Sequence, residues 1–498
     1  MGLSGALAIA SSGLANINLQ LDIVSQNVAN ANSPGYASEV LPQQSMDVAS
    51  IPMGVRTGVA TRLTDTVAQN TLYAENASVS SYSFRQTTLQ AIDAVQGTPG
   101  SGADIASQLG ALQNGFSALL SNPASAAAQS AVVQQAGTLA QSINHLSGTL
   151  ATQRQNAENT VVNDVTTLNA ALVQIGTLSD QIVAAKSLGT STAALEDQRA
   201  AAMQQVSGLV SARFVTQPNG DMQVFTPSGL TLPTHGQGPA LSTAAVNVAP
   251  GNYYPGGGIP AITLGGVDIT AQLQGGEIGQ AITLRDQTLP TYQAGLDEFS
   301  QNLASRFQTQ GLTLFSDPSG NVPAAGVPVQ QNYVGFASVI GVNPVVAANP
   351  ALVRDGTLTG AAALNPNGLA GFTGLISNVV DYALGTNGAP GVPQPASNTT
   401  GLGPGGNLSL GYPAPATLGD FASTLLGTEA TDSASTSSAL TTAQAAQATY
   451  QGQLSAATGV NIDQQLATMV ALQNSYAANA KVVSAVQTMW NQLLSAVP

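Results

Sequence analysis

The stretch Leu3-Ser-Gly-Ala-Leu7-Ala-Ile-Ala10-Ser-Ser-Gly-Leu14-Ala-Asn-Ile17-Asn-Leu-Gln-Leu21-Asp-Ile-Val24-Ser-Gln-Asn-Val28 puts Leu3, Leu7, Ala10, Leu14, Ile17, Leu21, Val24 and Val28 at alternating steps of four and three, with small or polar residues in most gaps. That spacing is a coiled-coil seam. It stops at Asn30-Ala-Asn32-Ser-Pro34-Gly35-Tyr36, where proline cannot continue a helix and Ser33-Pro34-Gly35-Tyr36 suits a type II turn. Far along the chain, Ile462, Leu466, Met469, Tyr476, Ala480, Val483, Trp490, Leu494 and Val497 lie on a similar seam, interrupted at Gln473 and Gln487. Burying a large apolar residue is worth about 1.5–3 kcal/mol, while fixing the backbone costs roughly 1–2 kcal/mol per residue. A single stripe therefore cannot hold either helix alone. Each seam is expected to take the other as its partner, and both helices to be loose until they pack together and against neighbouring subunits.

Composition bounds the rest. The chain has 498 residues, 43% hydrophobic, enough for several domains, and no run of consecutive apolar residues reaches the roughly 18 of a membrane span. The first basic residue is Arg56, so the opening stretch lacks the charged start of a secretory signal peptide and reads as mature structure. There are no cysteines, which removes disulfide and thiol chemistry. A net charge of −14 opposes binding to nucleic acid or to an acidic membrane surface. Only 7% of residues are charged, which suits a surface that packs closely with copies of itself.

Between the ends, an irregular connector through Pro42 and Pro52 leads to an expected strand pair around Val55–Leu63. Weak helical patterning follows from Asp65 to about Val95, then clean heptads on Ile105, Leu109, Leu112, Phe116 and Leu119, closed by Asn122-Pro123. No proline occurs between Pro123 and Pro218, and the stripe from Val132 to Ile182 predicts one long helix, broken at Ser187–Thr192. A further helix spans Leu195–Leu209, capped by Ser191 or Thr192. The period then becomes strand-like: Arg213–Gln217 and Met222–Thr226 flank the turn Pro218-Asn-Gly-Asp221, and Ala261–Leu264 with Val267–Thr270 suggest a second pair. Helical spacing returns from Leu284 to Phe307. Residues 311–420 are rich in Pro and Gly and read as loop or an outward insertion, except for one helix on Leu369, Phe372, Ile376, Val379 and Ala383. Phe421–Leu494 reads as two long helices broken near Thr458-Gly459.

The two ends carry a resemblance. Asn27-Val-Ala-Asn30-Ala-Asn32-Ser-Pro34-Gly35-Tyr36 resembles the signature near the start of flagellar rod, hook and hook-associated proteins, and Gly459-Val-Asn-Ile-Asp463 with Leu472-Gln-Asn-Ser-Tyr476-Ala-Ala-Asn-Ala-Lys481-Val-Val483 resembles their closing signature. Inside, Leu195-Glu-Asp-Gln-Arg199, Val206-Ser-Gly-Leu-Val210, Asn219-Gly-Asp221, Leu284-Arg-Asp286 and Val342-Asn-Pro344 are similar to the hook-associated junction members, whose helical middle differs from the β-rich middle of hook and distal rod proteins. Gln464-Gln465 depart from the acidic residues the family often has there.

The expected fold is mainly α with inserted β domains. Residues 1–40 and 455–498 form a terminal coiled coil; 41–210, 276–310 and 421–454 form a helical rod-like domain; 211–275 form a small β domain; 311–420 are partly loop or outer insertion. The resemblance implies a structural, non-enzymatic junction between hook and filament, extracellular and exported without a cleaved signal peptide. It also implies a homo-oligomer, as a ring or helical segment, in contact with hook protein, the next junction protein and an export chaperone at the C-terminal helix, with no nucleic acid and no membrane. The expected assembly residues are Leu3, Leu7, Leu14, Ile17, Leu21, Val24, Val28, Ile462, Leu466, Met469, Tyr476, Val483, Trp490 and Leu494, with Asn30, Asn32, Pro34, Gly35 and Tyr36 as the signature turn. The alternatives are a hook or distal rod protein and, in another class, a surface adhesin or secreted hydrolase.

Chemistry finds little support. His145 and His235 are the only histidines, one in a helical stripe and one in a Pro/Gly loop. Asp22, Asp463 and the other carboxylates lack metal-ligand spacing, and Gly256–Gly258 lacks the lysine and helix of a phosphate loop. No G-x-S-x-G elbow occurs. No cofactor or metal is expected.

Overall fold

The computed structural model describes residues 2–33, 35–48, 51–97, 100, 102–236, 238–325 and 330–495. Helix α1 (Leu3–Asn30) is followed by β1 (Glu39–Val40), β2 (Gln43–Val48), β3 (Ile51–Thr57) and β4 (Thr61–Arg62). β2 pairs with β3 as an antiparallel hairpin, and β1 pairs with β4 at its foot. The hairpin thus begins before the expected Val55–Leu63 pair, and Pro52 lies inside β3 opposite Asp47, beside a register shift. Proline is tolerated there because a two-stranded ribbon has only edge strands.

The body is built from long helices whose starts are written in the sequence. α2 (Thr66–Gln96) is capped by Asp65, whose carboxylate accepts from the N–H groups of Val67 and Ala68. α3 (Ile105–Ser121) is capped by Asp104 and α4 (Ala126–Leu188) by Ser125. α4 runs for 63 residues, roughly 95 Å, and ends where Gly189 turns left-handed at φ 68°. α5 (Ala193–Leu209) begins after Thr192; the cap bond comes from Ser191, whose hydroxyl accepts from Ala193 N–H. The next six strands, β5 (Arg213–Thr216), β6 (Met222–Phe225), β7 (Thr231–Leu232), β8 (Leu241–Ser242), β9 (Thr263–Leu264) and β10 (Val267–Asp268), form two antiparallel sheets of three. They dock on α4: Asn169 Nδ2 donates to Leu241 O and its Oδ1 accepts from Leu241 N–H.

α6 (Gly276–Thr283) continues through a π-helical turn, Leu284–Thr288, into α7 (Leu289–Thr309). The wide turn holds Arg285, fully buried, paired with Glu158 of α4 at 2.6 Å and with Asp286 at 2.7 Å. Arg154, one turn before Glu158, donates to Arg285 O at 2.8 Å and Asn252 O at 2.7 Å.

Residues 311–420 depart from the expectation of loop or outer insertion. Their elements are short: β11 (Phe315–Ser316) pairs with β12 (Gly341–Val342), followed by α8 (Pro344–Ala348), α9 (Leu352–Asp355) and α10 (Gly374–Asn378). Yet Phe315, Tyr333, Phe336, Val353, Ile376 and Leu402 belong to the main core with Phe116, Phe299 and Phe307. α10 and the π turn after it, Val379–Ala383, hold Ile376, Val379 and Ala383 of the expected helix. Leu369 and Phe372 lie outside it, because Asn365 Oδ1 accepts from Leu369 N–H and ties that stretch into a turn.

α11 (Leu418–Thr458) lies along α2, and α12 (Ile462–Ser495) returns along α1. By length and mean hydropathy (1.2) α1 could cross a bilayer, but Asn16, Asn18, Gln20 and Asp22 interrupt it and it is packed against α12. The molecule is mainly helical with small inserted β-sheets.

Candidate assembly interface

α1 and α12 pack antiparallel. Ile17 and Val24 are buried against Leu472, with Leu21 and Met469 half-covered around them. At Gly13 a Cβ would lie 3.3 Å from Asn479 Nδ2, so the absence of a side chain lets the helices approach closely there. Leu3, Leu14 and Val28 are half-buried, and Leu7 is 36% exposed. On α12 the covered line is Met469, Leu472, Asn479, Val483 and Val486. Ile462, Leu466, Tyr476, Trp490 and Leu494 are 41–60% exposed. The sequence reading missed Leu472 and Val486, although they stand two heptads apart with Asn479 midway. An asparagine inside the seam hid that line.

β3 covers a second flank of α1. Val55 N–H donates to Ser12 Oγ, and Thr57 Oγ1 to Asn16 Oδ1 at 3.1 Å. Gly54, at φ 121°, comes so close that a Cβ would overlap the Ser12 hydroxyl. Asn16 is accordingly buried despite its polarity.

After α1 the chain turns: Tyr36 N–H donates to Ser33 O at 3.2 Å and Gly35 has φ 81°. Pro34 lies outside the described residues, as does Val497. Asn30 Nδ2 donates to Gln26 O, and Asn32 is exposed. The residue that organises the turn is Asn27, buried to 1%. Its Nδ2 donates to Glu39 O, and its Oδ1 accepts from Glu39 N–H and from the Tyr36 hydroxyl, each at 2.9 Å. Burial, with Glu39 and Asp197 nearby, pushes the Tyr36 hydroxyl up to about 12, so it remains a donor.

Around this turn the terminal pair meets the body. Ser38 N–H donates to Thr458 O at 2.7 Å, bonding the two chain crossings to each other. Ser191 Oγ donates to Ala60 O, and Arg62 pairs with Asp197 at 3.3 Å. Burial raises the Asp197 carboxyl to about 6 against the opposing pull of Arg62. A groove of about 650 Å³ of mixed polarity runs alongside, lined in part by Tyr36, Arg62, Gln69, Gln204 and Leu454. Among the described residues no group of three or more His, Cys, Asp or Glu side chains is placed to hold a metal. His145 is exposed on α4, and His235 sits beside Asp180 and Asp221 at the β domain.

The family models fit this division. Residues 89–321 match the model described as the flagellar hook-associated protein FlgK helical domain. That stretch is similar to the FlgK helical domain. Its ends match two other flagellar models: residues 7–36 the flagella basal body rod protein, and 450–496 the flagellar basal body rod FlgEFG protein C-terminal. The matched stretch runs from the end of α2 to just past α7 and includes the β5–β10 sheets. Within it, Arg199 donates to Gly220 O and Ser179 Oγ, and Arg285 holds the π turn. Flagellar hook-associated protein 1 of Escherichia coli (strain K12) is 24% identical over 66% of this chain and 62% of its own length. The protein of that name from Bacillus subtilis (strain 168) is 24% identical over 42% of this chain and 43% of its own. The chain thus spans less than two thirds of these relatives. A solved structure, the flagellar hook junction protein FlgK from Burkholderia pseudomallei, is 28% identical over 52% of this chain and 47% of that one, with a TM-score of 0.41.

Proposed function

We propose that this chain is a structural junction protein of the bacterial flagellum, joining hook to filament outside the cell, with no catalytic role. The observation that carries the reading is the half-covered terminal pair beside a FlgK helical domain: Leu466, Tyr476, Trp490 and Leu494 stay exposed on one molecule, and contiguous exposed apolar surface marks an interaction site. On this reading the exposed α12 residues, with Leu7 and the signature turn, are completed by neighbouring copies. Hook protein and the next junction protein lie at the two ends of the segment, and an export chaperone covers α12 beforehand. Immunogold labelling of isolated flagella is the test. A single band at the distal end of the hook is the expected result. Labelling along the whole hook, together with loss of the hook in a deletion strain, would instead make this a hook or rod protein.

A further inference from the structure

The terminal pair is almost free of charge, and the exceptions are informative. α1 has a single charged residue, Asp22, and α12 has two, Asp463 and Lys481. Asp463 sits in the first turn of α12, where the helix dipole accounts for an acid. Asp22 and Lys481 have no such local reason. Each is exposed, on the side of its helix away from the covered seam, and among the described residues neither belongs to an ion pair. Around them the outer faces carry small or polar residues, Ala15, Asn18 and Gln26 on α1 and Ala471, Ala478 and Ala485 on α12, beside the exposed apolar Leu19 and Val470.

The two charges cannot meet within one molecule. Gly13 lies beside Asn479 and Val24 near Leu472 in the antiparallel pair, which places Lys481 level with about Ser11. Asp22 is then eleven residues away, roughly 16 Å along the axis. The hairpin's exposed charges, Asp47 and Arg56, stand on β2 and β3, off the outer faces of α1 and α12.

Resting on the junction-protein reading above, we infer that the surface around Asp22 and Lys481 is an interface between copies of this chain, in which Lys481 of one copy pairs with Asp22 of the next, offset along the axis by roughly the distance that separates them. The occupant is a second copy because complementarity is internal: one lone anion and one lone cation, each beside exposed apolar and small residues that a copy could cover, in a chain with few other charges to supply a partner. Opposite charges facing across such a contact fix its register, and like charges there oppose it.

A complementation experiment tests this in cells lacking their own copy, with the full chain as Asp22→Lys, Lys481→Asp and the double exchange. Each single reversal should lower the number of assembled filaments by about tenfold, and the double exchange should restore it, with unchanged melting of the monomer throughout. Because the chain has no cysteine, Asp22→Cys/Lys481→Cys adds a second readout: oxidation of assembled structures should give ladders of cross-linked copies, and oxidation of dilute monomer none. Singles that assemble like wild type, or a double no better than the worse single together with no ladder, overturn the pairing alone. A wild-type chain that never reaches the flagellum overturns both the pairing and the junction reading.

Discussion

Single residues decide how the parts of this molecule dock, and two of them give sharp expectations. A Cβ on Gly176 would overlap the Thr234 carbonyl, which is backbone and cannot swing away. Gly176→Ala should therefore cost about 1–3 kcal/mol through loss of the β-domain contact, measurable as a lower urea midpoint; an unchanged midpoint would mean that strand segment is free to shift. Asn27 satisfies both backbone groups of Glu39 with one side chain. Asn27→Ala leaves them buried without partners, at roughly 1–3 kcal/mol, and amide exchange at Ser38 and Glu39 should quicken while α4 stays protected. Asn27 lies within the quoted signature, but nothing in its spacing says that it replaces a strand partner. Residue roles of this kind become visible only once the chain has turned back on itself.

At the level of elements, periodicity carried far where helices are long and failed where order comes from buried polar groups. The heptads of α3, the uninterrupted stripe of α4 and the break between α11 and α12 at Gly459 were readable because each rests on local rules of spacing, capping and glycine. The packing of 311–420 was not, since that segment is held by carboxylates of α7. Asp297 accepts from Gly335 N–H and Ala337 N–H, while Glu298 accepts from the Tyr333 hydroxyl and Asn398 N–H. No repeat in the sequence announces such contacts. Asp297→Ala should expose 311–420 to limited proteolysis while leaving α4 intact. The α11 contact with α2 carries its own signature: Glu429 is buried with one oxygen unpartnered, and burial, then Asp93, raises it to about 8. A carboxyl whose folded value lies above its unfolded one binds its proton more tightly in the native state. It costs nothing at pH 4, where both states are protonated, and stability then falls as pH rises from about 4.5 toward 8. Urea titrations at pH 5 and pH 8 should show this loss, and Glu429→Gln should reduce it, leaving the part owed to raised carboxyls such as Asp197.

For the whole molecule, the contrast lies between a body with two extensive cores and a terminal pair whose cluster holds few residues. Trp490→Ser and Leu494→Ser should leave monomer melting within about 0.5 kcal/mol of wild type yet abolish assembly, because those side chains are exposed in the single molecule. Hydrogen exchange on dilute monomer should likewise find α1 and α12 far less protected than α4. Equal protection of all three would show that the terminal pair is complete by itself.

The bond from Ser38 to Thr458 also has a consequence in time. Its two halves lie more than four hundred positions apart, so a chain emerging end first from a ribosome or a narrow conduit presents α1 and its hairpin long before their partner arrives. The body can settle meanwhile, since the contacts between α2, α4 and α5 close earlier. The neck is thus the last thing to shut, and a molecule interrupted just short of residue 458 would have its α2, α4 and α5 contacts closed and an unfinished tip.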